Sequence, residues 1–223
     1  MTEILAGALL DRAPGPKYLG ALRFAELAPA DPRPRPATLA RWREPFPEGF
    51  RCSLVVPSPA RISSLGAFQR DAAMDEALEW TRRAAQSLGA TWVVVPTAGE
   101  ISTGQRDRDR LAAWIDHYRS LDPDRTVVWS PTGLWDREHA LPLASKLGLV
   151  WAFDPLQDEP PAQASLLYAR LRAVGSRSRF NETLLLTVLD AIVASDAAEA
   201  VVAIDSPASF REASRLQELA QSM

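Results

Sequence analysis

Apolar residues along this chain follow two alternating rhythms. Near-continuous apolar runs appear at 3–9 (EILAGAL), 21–27 (ALRFAEL), 50–57 (FRCSLVVP), 91–96 (TWVVVP), 126–131 (TVVWSP), 149–155 (LVWAFDP), 165–171 (SLLYARL) and 200–205 (AVVAID). Their shortness and their Val, Trp, Phe and Ile content predict strands buried on both faces. Between several of them, apolar residues recur at three- and four-residue steps, the spacing of one helical face. One such set is Met74, Ala77, Leu78, Thr81, Ala85 and Leu88; a second is Leu111, Trp114, Ile115, Tyr118 and Leu121; a third is Leu185, Val188, Leu189, Ile192 and Val193. A last helix is predicted from Ser206 as N-cap and Pro207 in the first turn, continuing through Phe210, Ala213, Leu216 and Leu219. Eight buried strands alternating with amphipathic helices predict an α/β fold, a compact single-domain TIM-type (β/α)8 barrel over residues 1–223. A doubly wound open sheet is the alternative. The first connection (10–20) has room for about one helical turn, and the sixth (156–164) holds Pro160-Pro161, which excludes a regular helix.

Two of the strand segments are near copies. SLGATWVVVP (87–96) and KLGLVWAFDP (146–155) share Leu-Gly, Trp and Pro at matching places. Each reads as a helix ending at Leu-Gly, with glycine supplying a left-handed cap, followed by a strand that proline stops. The copies part where Val95 of the first becomes Asp154 of the second. A carboxylate closing an apolar strand loses hydration and needs a partner. Arg170, on the next strand, is the expected one, as a structural tie or as part of a site.

Composition narrows the function without naming it. The chain has 223 residues, is 47% hydrophobic and carries a net charge of −3, which argues against nucleic-acid binding over the whole surface. One cysteine, Cys52, forms no internal disulfide and suits a reducing compartment; no basic leader or spanning apolar run is evident, so the expected location is the cytoplasm, away from membranes. His117 and His139 fall in helical segments with no second ligand nearby, so no metal is expected. Neither a G-x-S-x-G elbow nor a glycine-rich phosphate cradle appears, and no cofactor is predicted.

Several segments together resemble a known family. RFAEL (23–27) leads into ATLARWREPFPEGFRCSLVVP (37–57); VVWSPTGLW (127–135) closes on Trp135; VWAFDP ends in Asp154; LLYARLRAVG (166–175) carries Tyr168 and Arg170. This series resembles the YecE-like family, domain of unknown function 72, over nearly the whole chain. The resemblance implies a TIM-type barrel and no particular reaction. Three family positions depart here. The N-terminal G-T-S-G-W type segment reads AGALLDR, the strand-five Glu-x-Arg falls on Trp129 and Pro131, and the His beyond the strand-seven Arg falls on Arg172. If those polar groups carry the family's chemistry, the resemblance implies that this chain has altered or lost it.

In such barrels the working site lies at the C-terminal ends of the strands. Here those ends hold Glu26, Trp129, Asp154, Arg170, Arg172 and Asp205. Arg170, Arg172, Arg177 and Arg179 cluster in the loop after strand seven, where barrels tend to hold phosphate. Trp129 and Trp135 flank the strand-five loop and offer rings to stack on a ligand or to cover the mouth. The reading is a rim that binds an anionic, phosphate-bearing small molecule or a nucleic-acid end through Trp129, Trp135, Arg170, Arg172, Arg177 and Arg179. The alternatives are a hydrolase in which Glu26 works with Asp154 or Asp205 as acid and base, and a catalytically degenerate barrel kept for a structural or partner-binding role. The sequence sets no oligomeric state.

Overall fold

The structure, a computed structural model, describes residues 2–175 and 178–223. All eight expected strands form: β1 (Glu3–Leu10), β2 (Phe24–Leu27), β3 (Arg51–Val55), β4 (Trp92–Thr97), β5 (Thr126–Pro131), β6 (Val150–Phe153), β7 (Leu166–Arg172) and β8 (Glu199–Asp205). They close into one parallel barrel in the order β1-β8-β7-β6-β5-β4-β3-β2, so the open-sheet alternative does not hold. The helices are α1 (Pro16–Ala21), α2 (Pro36–Arg43), α3 (Ala72–Leu88), α4 (Gln105–Leu121), α5 (Arg137–Lys146), α6 (Glu182–Val193) and α7 (Ser209–Gln221). As expected, the first connection holds only the six-residue α1, and none of these helices lies between β6 and β7.

The chain divides into two compact units. The first comprises residues 1–27, 45–51 and 152–223, the second residues 28–44 and 52–151.

In the second unit the helix signals act as the pattern predicts. Asp71 caps α3 by accepting from Met74 N–H at 2.9 Å, and Gly89 ends it in the left-handed region at φ 62°. Met74, Ala77, Leu78, Thr81, Ala85 and Leu88 are all buried. β4 runs in register with β5 from Trp92↔Thr126 to Thr97↔Pro131. A small hairpin (Ile62–Ser63 with Gly66–Ala67) follows β3. Trp114 of α4 anchors this region: its indole N–H donates to Ala60 O at 2.8 Å and Phe68 packs edge-on against its ring.

In the first unit β1 lies between β8 and β2, and its two edges are satisfied differently. Toward β8 the ladder is regular from Glu3↔Glu199 to Ala8↔Ile204. Toward β2 only Leu9↔Glu26 and Leu10↔Leu27 are paired. Lower down, side chains stand in for a strand. The Tyr18 hydroxyl accepts from Ala8 N–H at 2.8 Å and donates to Phe24 O at 2.7 Å, and the Gln217 amide accepts from Ala6 N–H and donates to Ile4 O. The reason is visible at Gly7, where a Cβ would stand 2.3 Å from Phe24 O and 2.6 Å from the Phe24 ring. The expected second strand was also too long by three residues, because Ala21 closes α1 and strand geometry begins only at Phe24.

α7 begins later than the sequence suggests. Its N-cap is Ala208, not Ser206; the Ser206 hydroxyl instead accepts from Ala208 N–H at 3.1 Å and donates to Glu212.

Candidate functional site

The upper part of β2 and β7 carries a buried polar cluster. In a parallel ladder, residues in register point to the same face, so Arg170 of β7 shares a face with Ala203 of β8 and Gly7 of β1. Both neighbours are too small to obstruct it. Arg170 therefore reaches across β8 and β1 to Glu26 on β2, donating from Nε at 3.0 Å and from Nη2 at 2.6 Å to Glu26 Oε1. Tyr168, two residues earlier on the same face, donates its hydroxyl to Glu26 Oε2 at 2.8 Å, and its ring meets Phe24 edge-on. The Glu26 side chain is 1% exposed and that of Arg170 9%. Burial works against the guanidinium's charge, yet Glu26 beside it, with Tyr168 and Asp205 nearby, outweighs that and pushes the Arg170 pKa up.

The partner of Arg170 in this cluster is Glu26, where the sequence suggested Asp154. Asp154 stands at the end of β6, where its carboxylate accepts from Leu156 N–H at 3.0 Å and from the Gln157 amide at 2.7 Å. Its backbone carbonyl accepts from Gln157 and Asp158 N–H. The Val95-to-Asp154 contrast in the repeat thus has a local cause. Strand six runs straight into a tight turn, and an aspartate there satisfies amides that a helix would otherwise use. Of the other strand-end groups in this unit, Arg172 and Asp205 approach only to 3.7 Å; Arg172 is exposed and Asp205 half-buried.

In the second unit, Trp129 and Trp135 pack edge-on with ring centroids 5.0 Å apart. The Trp129 indole donates to Thr97 Oγ1 at 3.0 Å, and the Arg108 guanidinium lies over the Trp135 ring. Both indoles are buried, so neither ring has an open face on which a ligand would stack. Arg61, in the loop after β3, donates to Pro96 O at 2.8 Å and pairs with Glu100 at 3.0 Å.

The rim beside β7 and β8 is more open. A cavity of about 670 Å³ lies where α6 and α7 begin, lined among others by Arg179, Phe180, Arg211, Glu212, Arg215 and Glu218. Arg215 is held at the edge by Glu182 at 2.8 Å and Glu218 at 3.1 Å. Glu212 is buried and ties the two loops together: Oε1 accepts from Phe180 N–H at 2.9 Å, and Oε2 accepts from the Ser206 hydroxyl. Arg179 precedes Phe180 and Arg211 precedes Glu212, so this one carboxylate brings both arginines to the same cavity. Arg177 lies outside the described residues. Arg211 and Glu212 were not among the residues that the sequence suggested; a helical i, i+1 pair of opposite charge carries no signal that marks it. Among the described residues no three His, Cys, Asp or Glu side chains gather to hold a metal ion, and no helix is long and apolar enough to cross a membrane.

No protein-family model matches the chain, and no curated protein matches it. Solved structures do. A DUF72 family protein from Enterococcus faecalis V583 is 16% identical, with 99% of this chain and 98% of that one covered and a TM-score of 0.69. An L-ribulose 3-epimerase is 11% identical over 100% and 94% of the two chains, TM-score 0.62. A xylose isomerase domain containing protein from Salmonella typhimurium LT2 is 13% identical over 99% and 96%, TM-score 0.61. At such identities the likeness is one of fold. The first of these structures bears the family name that the sequence resemblance suggested.

Proposed function

We propose that this chain is a YecE-like barrel protein of the cytoplasm that binds a small anionic ligand at its C-terminal rim, through Arg179 and Arg211 in the cavity where α6 and α7 begin. The carrying observation is the charge arrangement in that cavity. Glu182 and Glu218 are engaged by Arg215, and Glu212 by Phe180 N–H and Ser206. Among the described residues no carboxylate engages Arg179 or Arg211, and guanidinium forks suit carboxylate and phosphate oxygens. The volume, about 670 Å³, is that of a small-molecule site and favours a metabolite-sized anion over a nucleic-acid end. Arg172, the last residue of β7, would add attraction at longer range. Single-domain organisation over residues 1–223 belongs to the same reading.

A hydrolase built on Glu26 is less well supported. Both Glu26 oxygens already accept hydrogen bonds from Arg170 and Tyr168, so a proton-transfer role would first have to break that cluster.

Calorimetric titration of acetate, phosphate, pyrophosphate and a short oligonucleotide, at two salt concentrations, tests the proposal. At least one small anion binds the wild type, more weakly at high salt, and about tenfold or more weakly to Arg179→Ala/Arg211→Ala, given roughly 1.5–3 kcal/mol for each hydrogen bond to a charged group. Equal affinity in both proteins, or binding of the oligonucleotide alone, overturns it.

A further inference from the structure

The cavity proposed above as an anion site already contains an anion-like group of the protein's own. In barrels that hold phosphate at this rim, the donors are backbone N–H groups of the strand-seven and strand-eight loops and the helix N-terminus that follows. Here one such N–H and one loop hydroxyl converge on Glu212. The N–H of Phe180, one residue ahead of the α6 N-cap Asn181, donates to Oε1; the hydroxyl of Ser206, two residues ahead of the α7 N-cap Ala208, donates to Oε2. Asn181 uses its own side chain on Leu184 N–H at 3.0 Å, and Ala208 N–H is spent on Ser206. Both Glu212 oxygens accept, and neither donates, which is the arrangement of a carboxylate. With that group in place, the charged donors left unpaired among the described residues are the side chains of Arg179 and Arg211.

We propose that Glu212 sets the charge class of the ligand, so that the cavity takes singly charged anions, carboxylates in particular, and discriminates against dianions such as phosphate. This rests on the reading that the cavity binds an anion through its arginines. Three arginines (179, 211, 215) and three glutamates (182, 212, 218) line the cavity, so a monoanion leaves one surplus negative charge and a dianion two. Glu212 is the buried member of the three, where water screens it least. Across a cavity of this size, at an effective dielectric constant of about 20, one like charge weakens binding by about tenfold or more per unit of ligand charge.

The substitution Glu212→Gln isolates this effect. Its carbonyl oxygen still accepts from Phe180 N–H and its amide donates to the Ser206 hydroxyl, so the clasp survives while the charge goes. Acetate and malonate, which share their chemistry and differ by one charge at pH 8, are titrated with phosphate at constant ionic strength, following amide resonances by NMR. In the wild type, malonate and phosphate bind no more tightly than acetate. In Glu212→Gln the malonate-to-acetate affinity ratio rises about tenfold, and phosphate gains similarly. An unchanged ratio in Glu212→Gln overturns the proposal. So does tighter binding of malonate than of acetate to the wild type, which needs no variant to be measured. Loss of binding in Arg179→Ala/Arg211→Ala with an unchanged Glu212→Gln ratio sinks the charge filter alone, and no anion binding in any of the proteins removes the anion site as well.

Discussion

Replacing Arg170 with methionine keeps an unbranched apolar stem and deletes the guanidinium. Glu26 then loses both donors to Oε1, the 3.0 Å contact from Nε and the 2.6 Å contact from Nη2, and keeps only the Tyr168 hydroxyl on Oε2. Its side chain is 1% exposed, so water does not take the place of the guanidinium. Removing one member of a buried pair in this way costs roughly 3–5 kcal/mol. For a chain of this size each kcal/mol lowers the melting temperature by about 2–4 °C, so Arg170→Met melts some 6–20 °C below wild type, by the same conversion. The double variant Glu26→Leu/Arg170→Met behaves differently. It removes both charges together, escapes the cost of a stranded carboxylate, and recovers most of the loss, since apolar replacement of a buried pair is often close to neutral. Urea and thermal unfolding followed by circular dichroism give the three free energies of this cycle. A single variant within about 1 kcal/mol of wild type, or a double variant as unstable as the two single losses added, refutes the reasoning. Asp154→Asn supplies the control. It keeps an acceptor for Leu156 N–H and costs about 1 kcal/mol or less; a loss matching Arg170→Met would restore Asp154 as the arginine's true partner.

Two further outcomes follow, one in each unit. Gly7→Ala places a Cβ 2.3 Å from the Phe24 carbonyl oxygen, a backbone atom that cannot rotate away, and lowers stability by roughly 1–3 kcal/mol or more in urea unfolding; a wild-type midpoint refutes the crowding at that seam. Burial pushes the Cys52 thiol up to about 12, with Arg43 and Arg125 offsetting only part of it, so at pH 8 native protein reacts with a disulfide reagent at the rate of unfolding, and immediate colour development contradicts this.

The features legible in the sequence are those written into neighbouring residues. Near-continuous apolar runs marked all eight strands, the three- and four-residue recurrence marked the faces of α3, α4 and α6, and Leu-Gly marked where α3 ends, because each depends on backbone geometry within a turn or two. Proline at 160 and 161 ruled out a helix in the sixth connection for the same local reason. The short-range reading erred only at edges: Ala21 belongs to α1, and Ser206 serves Glu212 instead of capping α7.

Partnership between distant side chains was decided by the tertiary structure. Asp154 and Arg170 looked like a pair because they close adjacent strands, yet Arg170 is committed to Glu26, 144 positions away, because register puts Ala203 and Gly7 between them on the same face and both leave its path clear. Nothing near Glu26 in the chain announces that, since it depends on which residues three successive strands bring level. The Tyr18 and Gln217 side chains that complete the edge of β1, and the Glu212 carboxylate that joins the α6 and α7 loops, are of the same kind. Periodicity states which face of an element is buried; only the register of the closed sheet states what that face meets.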